Sequence, residues 1–483
     1  MQKTAVEIAD GFYQSTSLPL NAQRCVNWWP VVPELSGLST RALLEHPGIT
    51  QFAYNDTGVF RGCENMGGIA YFVNGGYLYS VSSTGVSTRI GVISGSGYVS
   101  MANNGYKLAI VVPGDTLYEF NSTANTLTEV SDVDYIVSDS VSYVDGYYIY
   151  TASDGSVFFN SALNDPMNFD ALDFGTAEID PDPIVSSHVN HNQLFVLGTD
   201  TIELFQNVGG SGFPFQRIDG GSIQKGCTAK FSVVEFDNTF LFVGGGINER
   251  SAIWKVVGSS QVQKVSTAAI DFQIQQFTAE EISTAFAWTY SWQGGFFAGF
   301  TFESTRIPSR TFVYDATASA FANESVWHER QTGSEDNRWR VGGILKAYGK
   351  ILVGDNVDGR VGEFDQDAYT DYEEPRYRMK TSRPFFQDEL PLFQGQMELT
   401  MESGTGLESG DDPQIDFDYS DDGARTWSYP TARGYGKTGE YQRLCIWRKL
   451  GRIPRHRVLR FKTSEPVKSN LLKLCAYASV GTQ

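Results

Sequence analysis

The residues best suited to catalysis or metal binding are few and dispersed along the 483-residue chain. Five histidines and five cysteines are scattered, and no C-x-x-C pair, H-E-x-x-H motif or G-x-S-x-G motif is present. Gly436-Lys437-Thr438 looks like the end of a phosphate-binding loop, but Thr431 stands where its first glycine belongs. The sequence therefore predicts a protein that is not an enzyme and holds no metal or cofactor.

One motif predicts a local structure. Ser420-Asp-Asp-Gly-Ala-Arg-Thr-Trp427 nearly matches the Asp-box, S-x-D-G-G-x-T-W, with Ala424 in place of a glycine. In such a box we expect Ser420 and Asp422 to brace a hairpin and Trp427 to pack beneath it. Sialidases carry several of these boxes, so a carbohydrate-binding or glycan-hydrolysing protein acting on host surface polysaccharide stays open as the alternative function.

Charge is distributed unevenly along the chain. Residues 433–473 contain twelve Lys or Arg and two acidic residues, whereas the remainder contains 25 basic and 54 acidic residues. Such a segment can be a solvated sheet face, a contact for DNA phosphates or a docking site for an acidic protein. The acidic remainder disfavours free DNA binding, so we favour docking. The candidate docking residues are Arg443, Arg448, Lys449, Arg452, Arg455 and Arg457.

The elements that position these residues are predicted to be short strands. A unit of turn, aliphatic or aromatic strand, turn and second strand recurs seven times, at steps of roughly 40–55 residues. Its leading turns include Asn104-Gly105 and Asp145-Gly146, which favour the positive φ of tight hairpins. Four-stranded propeller blades repeat at about this interval. The sequence therefore predicts an all-β protein with a seven-bladed β-propeller, with six to eight blades possible.

Three regions are expected. Residues 1–60 lack clear periodicity and are interpreted as an N-terminal arm, 61–375 as the propeller, and 376–483 as an antiparallel, sandwich-like C-terminal domain. Thr278-Ala-Glu-Glu281 resembles a capping box and predicts a short helix between two blades. We expect no signal peptide and no membrane insertion, because no apolar run of about 18 residues occurs. Scattered cysteines fit folding in a reducing cytoplasm.

Several segments, taken in order, resemble a known family. They are Asn21-Ala-Gln-Arg-Cys-Val-Asn-Trp-Trp-Pro30, Pro47-Gly48-Ile49, Ile202-Glu-Leu-Phe205, Gln224-Lys-Gly226, Phe277-Thr-Ala-Glu-Glu-Ile282, Val313-Tyr-Asp-Ala316, Trp447-Arg-Lys-Leu-Gly-Arg-Ile453 and Ser464-Glu-Pro466. The chain resembles the packaged-DNA stabilisation proteins, or tail hub proteins, of short-tailed Salmonella phages. The likeness spans nearly the whole chain.

The resemblance implies a structural role in the virion tail. It implies a homo-hexameric ring below the portal adaptor that continues the DNA exit channel and retains the packaged genome. It also implies attachment of tailspikes or tail fibres and of a tail needle plug, with passing double-stranded DNA not read by sequence. The shorter first repeat and the very basic end differ from the family pattern.

Overall fold

The computed structural model describes residues 2–35, 37–56, 58–177, 182–210, 212–258, 260–387 and 390–480. Regular structure in these ranges is almost entirely β-strand, and the predicted all-β class is confirmed. Three short helices accompany the strands there: α1 (Ala268–Ile274), α2 (Ala279–Ser283) and α3 (Ala316–Ala322). The predicted capping box is present at α2, and no helix of the described ranges is long and apolar enough to cross a membrane.

The residues before position 60 form short strands that belong to the domains around them. They are β1 (Gln2–Val6), β2 (Tyr13–Gln14), β3 (Ala22–Gln23), β4 (Cys25–Val26), β5 (Trp28–Val31), β6 (Ala42–Glu45) and β7 (Gly48–Tyr54). Strand β7 lies within the predicted N-terminal arm, residues 1–60, but belongs to a sheet of the propeller. It pairs with a strand formed by residues 360–365, because an extended segment here satisfies the open edge of that sheet.

Four four-stranded antiparallel sheets follow, each formed by consecutive strands. The first contains β8 (Phe60–Met66), β9 (Ile69–Asn74), β10 (Tyr77–Val81) and β11 (Ser87–Val92). The second contains β12 (Ser100–Asn103), β13 (Lys107–Val111), β14 (Leu117–Asn121) and β15 (Thr126–Glu129). The third contains β16 (Ser138–Val144), β17 (Tyr147–Ala152), β18 (Phe158–Ala162) and β19 (Asp165–Gly175). The fourth contains β20 (Ile184–Asn190), β21 (Gln193–Gly198), β22 (Ile202–Asn207) and β23 (Phe215–Ile223).

Three further sheets complete the series. The fifth contains β24 (Gly226–Cys227), β25 (Val234–Phe236), β26 (Thr239–Gly245), β27 (Ala252–Val257) and β28 (Gln261–Lys264), with a 3₁₀ turn at Lys230–Ser232. The sixth contains β29 (Phe286–Trp292), β30 (Gly295–Phe302), β31 (Arg310–Asp315) and β32 (Val326–Arg330). The seventh contains β33 (Val341–Ala347), β34 (Lys350–Asp355) and β35 (Arg360–Asp365), with β7 as its outer strand.

These sheets form a closed ring. Neighbouring sheets contact one another in chain order through their inner strands, and β33 of the seventh sheet contacts β8 of the first. The turns between first and second strands have two residues at positive φ in most sheets, as at Asp145-Gly146 and Asp237-Asn238. This backbone matches the twist of tight hairpins. The series supports the predicted seven blades.

Most of the rest of the chain forms the sandwich domain. Strands β36 (Thr370–Asp371) and β37 (Glu374–Pro375) come first and still belong to the seventh sheet, where β36 pairs with β7. The sandwich strands are β38 (Arg378–Thr381), β39 (Phe385–Phe386), β40 (Leu392–Met401), β41 (Gln414–Ser420), β42 (Thr431–Gly434), β43 (Cys445–Ile453), β44 (His456–Thr463) and β45 (Leu471–Val480). One layer joins β43, β40 and β45 with β1, β6 and β5, and the other joins β4, β38, β44, β41 and β42. Between them lie Trp28, Met397, Phe417, Trp447 and Phe461.

Buried polar groups fasten the two domains together. Strand β4 pairs with β32 of the sixth sheet, so one layer of the sandwich continues a sheet of the ring. The buried Asn27 donates to the carbonyls of Gln331 (2.9 Å) and Tyr377 (2.7 Å). Arg24 donates to both carboxylate oxygens of Glu329 at 2.9 Å. These bonds hold the orientation of the sandwich domain against the ring.

Candidate docking surface

The basic segment folds mainly into two consecutive strands, β43 and β44, joined by a tight connection at residues 454–455. They form a split hairpin: each strand pairs with a different layer of the sandwich and not with the other. Strand β43 lies beside β40, where Arg452 is paired with Phe393 across the ladder. The connection therefore projects from one end of the sandwich domain, which is called the hairpin end below.

Five of the six predicted docking residues are exposed: Arg443, Arg448, Lys449, Arg452 and Arg455. The side chain of Arg443 is 50% exposed, with its nearest carboxylate on Asp412 at 3.8 Å. Arg448 Nε donates to Gln396 Oε1 at 3.3 Å. The guanidinium groups of Arg443 and Arg448 are exposed and make only these long contacts, so they are available to an acidic partner.

The sixth, Arg457, is buried, and its prediction as a docking residue is wrong. Its side chain is 1% exposed, and its Nε and Nη2 atoms donate to the two carboxylate oxygens of Asp421 at 2.7 and 2.8 Å. The guanidinium lies 3.8 Å from the ring centroid of Tyr419. Strand alternation turns this position inward, so Arg457 stabilises the hairpin.

Part of the excess positive charge of residues 433–473 is neutralised in the fold by an acidic side chain from a neighbouring strand. Strand β44 lies beside the acidic strand β41, and Arg460 donates to both oxygens of Asp418 at 2.8 Å. Lys462 also contacts Asp418 at 2.8 Å. The positive charge left at the surface is therefore concentrated on β43 and on the hairpin end.

An apolar groove borders the hairpin end, and the sequence patterns did not reveal it. Leu20, Phe386 and Phe393 are 71%, 61% and 45% exposed. A groove of about 580 Å³ lies between the first two of these side chains, with Arg383 and Arg455 at its rim. Large apolar side chains surrounded by arginines are typical of protein interfaces. The only signal in the sequence was isolated apolar residues next to basic ones.

The near Asp-box forms the long turn between β41 and β42. Ser420 Oγ donates to Asp422 Oδ1 at 2.7 Å and accepts the N–H of Ala424 at 2.9 Å. The Asp422 carboxylate accepts the N–H and hydroxyl of Thr426, and these bonds lower its pKa. Trp427 is only half-buried and lies under the guanidinium of Arg460, at 3.7 Å, rather than in the core.

The axis of the ring holds a narrow polar cavity of about 430 Å³, lined by inner strands of all seven sheets. Lys230 and Asp139, which both line this cavity, form an ion pair. His188 also lines it, and burial lowers the pKa of its imidazole to about 4. Along strands roughly 20 Å long, and allowing for a water radius of roughly 1.4 Å at each wall, this volume corresponds to a passage roughly 8 Å across. Among the described residues, no group of three or more His, Cys, Asp or Glu side chains could hold a metal ion.

Two family models match this arrangement of a ring of sheets followed by a sandwich. Residues 4–369 match the family described as the β-propeller of bacteriophage P22 Gp10, and residues 379–479 match its β-sandwich. The chain belongs to this phage tail hub family. The tail hub protein gp10 of Salmonella phage P22 is 26% identical over 454 residues, covering 89% of each chain. Membership confirms the predicted family and the propeller with a sandwich domain, and it supports a structural role in the virion tail.

The similar solved structures are more distant. The N-terminal domain of Nup159 is 11% identical, covers 69% of this chain and 97% of its own, and has a TM-score of 0.39. The computationally designed protein Ika8 is 12% identical, covers 71% and 100%, and has a TM-score of 0.38. The assignment to the tail hub family does not depend on these similarities. The exact number of blades stays a prediction.

Proposed function

We propose that this tail hub protein assembles as a homo-hexameric ring below the portal adaptor, where it closes and extends the DNA exit channel. In this role it stabilises the packaged DNA and anchors tailspikes or tail fibres and the tail needle. Assembly takes place in the host cytoplasm. The role is mechanical and uses no catalysis and no cofactor.

The observation that carries the proposed docking is the exposed charge at the hairpin end. Arg448, Lys449 and Arg452 are exposed along β43, and Arg455 is exposed at the hairpin end, where it lines an apolar groove. Arginine forks bind carboxylates at two points, and buried apolar side chains supply most of the binding energy at an interface. An acidic surface with a protruding apolar side chain, on the adaptor, fits this combination.

The ring axis of a single chain is too narrow for DNA. A passage roughly 8 Å across cannot admit a duplex whose major groove alone is about 12 Å wide. The duplex therefore passes between several copies rather than through one propeller, which requires an assembly. An acidic wall supports passage, because each phosphate contact would add a salt-sensitive attraction that slows the DNA.

Replacement of Arg448, Arg452 and Arg455 with Glu tests the docking. Arg89→Glu, Arg250→Glu and Lys346→Glu combined make the matched control, since they change the net charge equally at exposed positions of the ring. We expect the hairpin variant to lose adaptor binding in sedimentation experiments, while weak duplex binding at two salt concentrations is unchanged. Normal adaptor assembly with loss of DNA binding would make the surface a DNA contact instead.

The non-enzymatic role has its own test. We expect the purified protein to release no sugar from host surface polysaccharide over prolonged incubation, with or without divalent cations. Turnover that follows the protein through purification would overturn this part of the proposal and favour the glycan-hydrolysing alternative.

A further inference from the structure

Four buried side chains meet where the sixth sheet packs against the seventh sheet and the sandwich domain. They are called the seam cluster: Trp288, His328, Arg330 and Trp339, none more than 2% exposed. Trp288 and His328 lie in the same row across strands β29 to β32, through Gly299 and Val313. The close approach of the Trp288 ring to Gly299 leaves no space for a side chain there.

The side chain of Arg330 reaches across the row that contains Trp288 and His328. Arg330 belongs to the next row of the sheet, yet its Nη2 atom donates to the hydroxyl of Tyr290 at 3.0 Å on the far side. Trp339 closes the cluster from the seventh sheet, with its ring centroid 5.2 Å from that of Trp288. The backbone N–H of Trp339 is fixed by Thr311 at 3.0 Å. The seam cluster thus combines side chains from three segments of the chain: β29, β32 and the connection that leads into β33.

Several donors of the seam cluster have no acceptor among the described residues. They are Nε and Nη1 of Arg330, the indole N–H groups of Trp288 and Trp339, and the ring nitrogens of His328, one of which carries a proton in the neutral form. A buried donor without a partner costs roughly 1–3 kcal/mol, and more when it is charged. A cluster of such donors around one guanidinium indicates a bound acceptor.

The charge of Arg330 also lacks a partner. Its neighbour Glu329 lies on the opposite face of β32 and pairs with Arg24 and Arg310. Arg376 adds a second positive charge, although Asp371 pairs with it. Asp315 is a carboxyl whose charge reaches Arg330, but burial raises its pKa to about 7, so it supplies only part of a counter-charge at neutral pH and less below it. An unpaired buried guanidinium is unfavourable by several kcal/mol.

Nearby histidines add no further positive charge and offer no counter-charge to Arg330. Burial lowers the pKa of His328, and burial with Arg330 and Arg376 lowers that of His46, so both are neutral. His46 Nδ1 lies 2.7 Å from the carbonyl of Pro47, and its ring packs on Trp339. A small monovalent anion accepts hydrogen bonds from several directions and adds the missing charge.

We propose that the seam cluster binds a chloride ion, held by Arg330 with the indole N–H groups of Trp288 and Trp339. His46 leads directly into β7, the strand that closes the ring, so the site joins the sixth sheet to the closing seam. Bound chloride neutralises the guanidinium and stabilises ring closure. This assignment concerns one folded chain and does not depend on the proposed assembly.

Halide titration and diffraction test the site together. We expect the melting temperature to rise by roughly 2 °C for each tenfold increase in sodium chloride above the dissociation constant, and not with sodium gluconate at equal ionic strength. Crystals of the wild-type protein soaked in sodium bromide should show an anomalous peak within hydrogen-bonding distance of Arg330 and one of the two indoles. Arg330→Met should abolish the halide-specific shift.

Arg89→Met is the matched control, because Arg89 also lies over an aromatic ring but at the surface. It should retain the full chloride response. If Arg330→Met does not fold, the bromide experiment on the wild-type protein still decides. Equal stabilisation by chloride and gluconate, with no anomalous peak at the seam cluster, would show that water alone fills the site and would overturn the assignment.

Discussion

The propeller and the sandwich domain differ in where their strands come from. Each of the first six sheets of the ring is formed by consecutive strands, so its hairpins are visible as local turns. The sandwich domain joins β1 and β4–β6 to strands more than three hundred residues later. Within one sequence, the propeller is specified mainly by local patterns and the sandwich domain mainly by long-range packing. Substitutions in the two domains distinguish local from long-range specification.

The largest expected effect is that of Trp28→Ala. Trp28 is fully buried in the sandwich core although it lies in the N-terminal segment, and removing such a ring costs about 3–5 kcal/mol. Hydrogen exchange should accelerate strongly in β40, β44 and β45 and little in β12–β15. Equal acceleration in both regions would show that the two domains unfold as one unit.

The ring should respond to pH through Asp315, which is buried in the sixth sheet. Because its pKa is raised to about 7, the folded state retains a proton that the unfolded state loses near pH 4. Stability is therefore highest below pH 4 for this group and falls as pH rises to about 7, by up to about 4 kcal/mol.

Asp315→Asn should remove this pH dependence and keep the bond from the N–H of Ala318, now 2.8 Å long. Urea unfolding between pH 5 and 8, with hydrogen exchange of β29–β32 as the regional probe, measures it. A wild-type ring whose stability does not fall over this range would contradict the burial argument.

Two neighbouring arginines of the sandwich hairpin sharpen the comparison further. Arg457→Met leaves the carboxylate of Asp421 without its partner and should cost about 3 kcal/mol. Arg455→Met at the exposed hairpin end should change stability by less than about 0.5 kcal/mol. Thermal unfolding of both variants distinguishes structural from surface arginines. Similar losses in the two would mean that the hairpin end is itself structural.

The sequence predicts these two regions unequally. Positive-φ turns such as Asp145-Gly146 and aliphatic strands such as β13 (Lys107–Val111) made the ring predictable, because both signals are local. The role of β7 as the outer strand of the seventh sheet is a long-range pairing that no local pattern encodes. The burial of Arg457 depends on Asp421 in another strand, so charge counting along the chain assigned it wrongly.

Trp427→Ala in the near Asp-box should destabilise the sandwich domain less than Trp28→Ala or Arg457→Met. The ring is half-buried and contacts Arg460, so the loss should be about 1–2 kcal/mol rather than that of a core tryptophan. Chemical unfolding checks this value. A loss above about 3 kcal/mol would show that Trp427 packs beneath the hairpin as the sequence motif predicts.

Cross-linking in assembled particles is the most direct test of whether the hairpin end contacts the adaptor. A photo-reactive phenylalanine analogue at position 455, at the hairpin end, and a second at position 89, on the ring, would be incorporated into separate phage preparations. We expect position 455 to cross-link to the adaptor and position 89 not to do so. Adaptor cross-links from position 89 alone, or cross-links from position 455 only to DNA, would contradict this expectation.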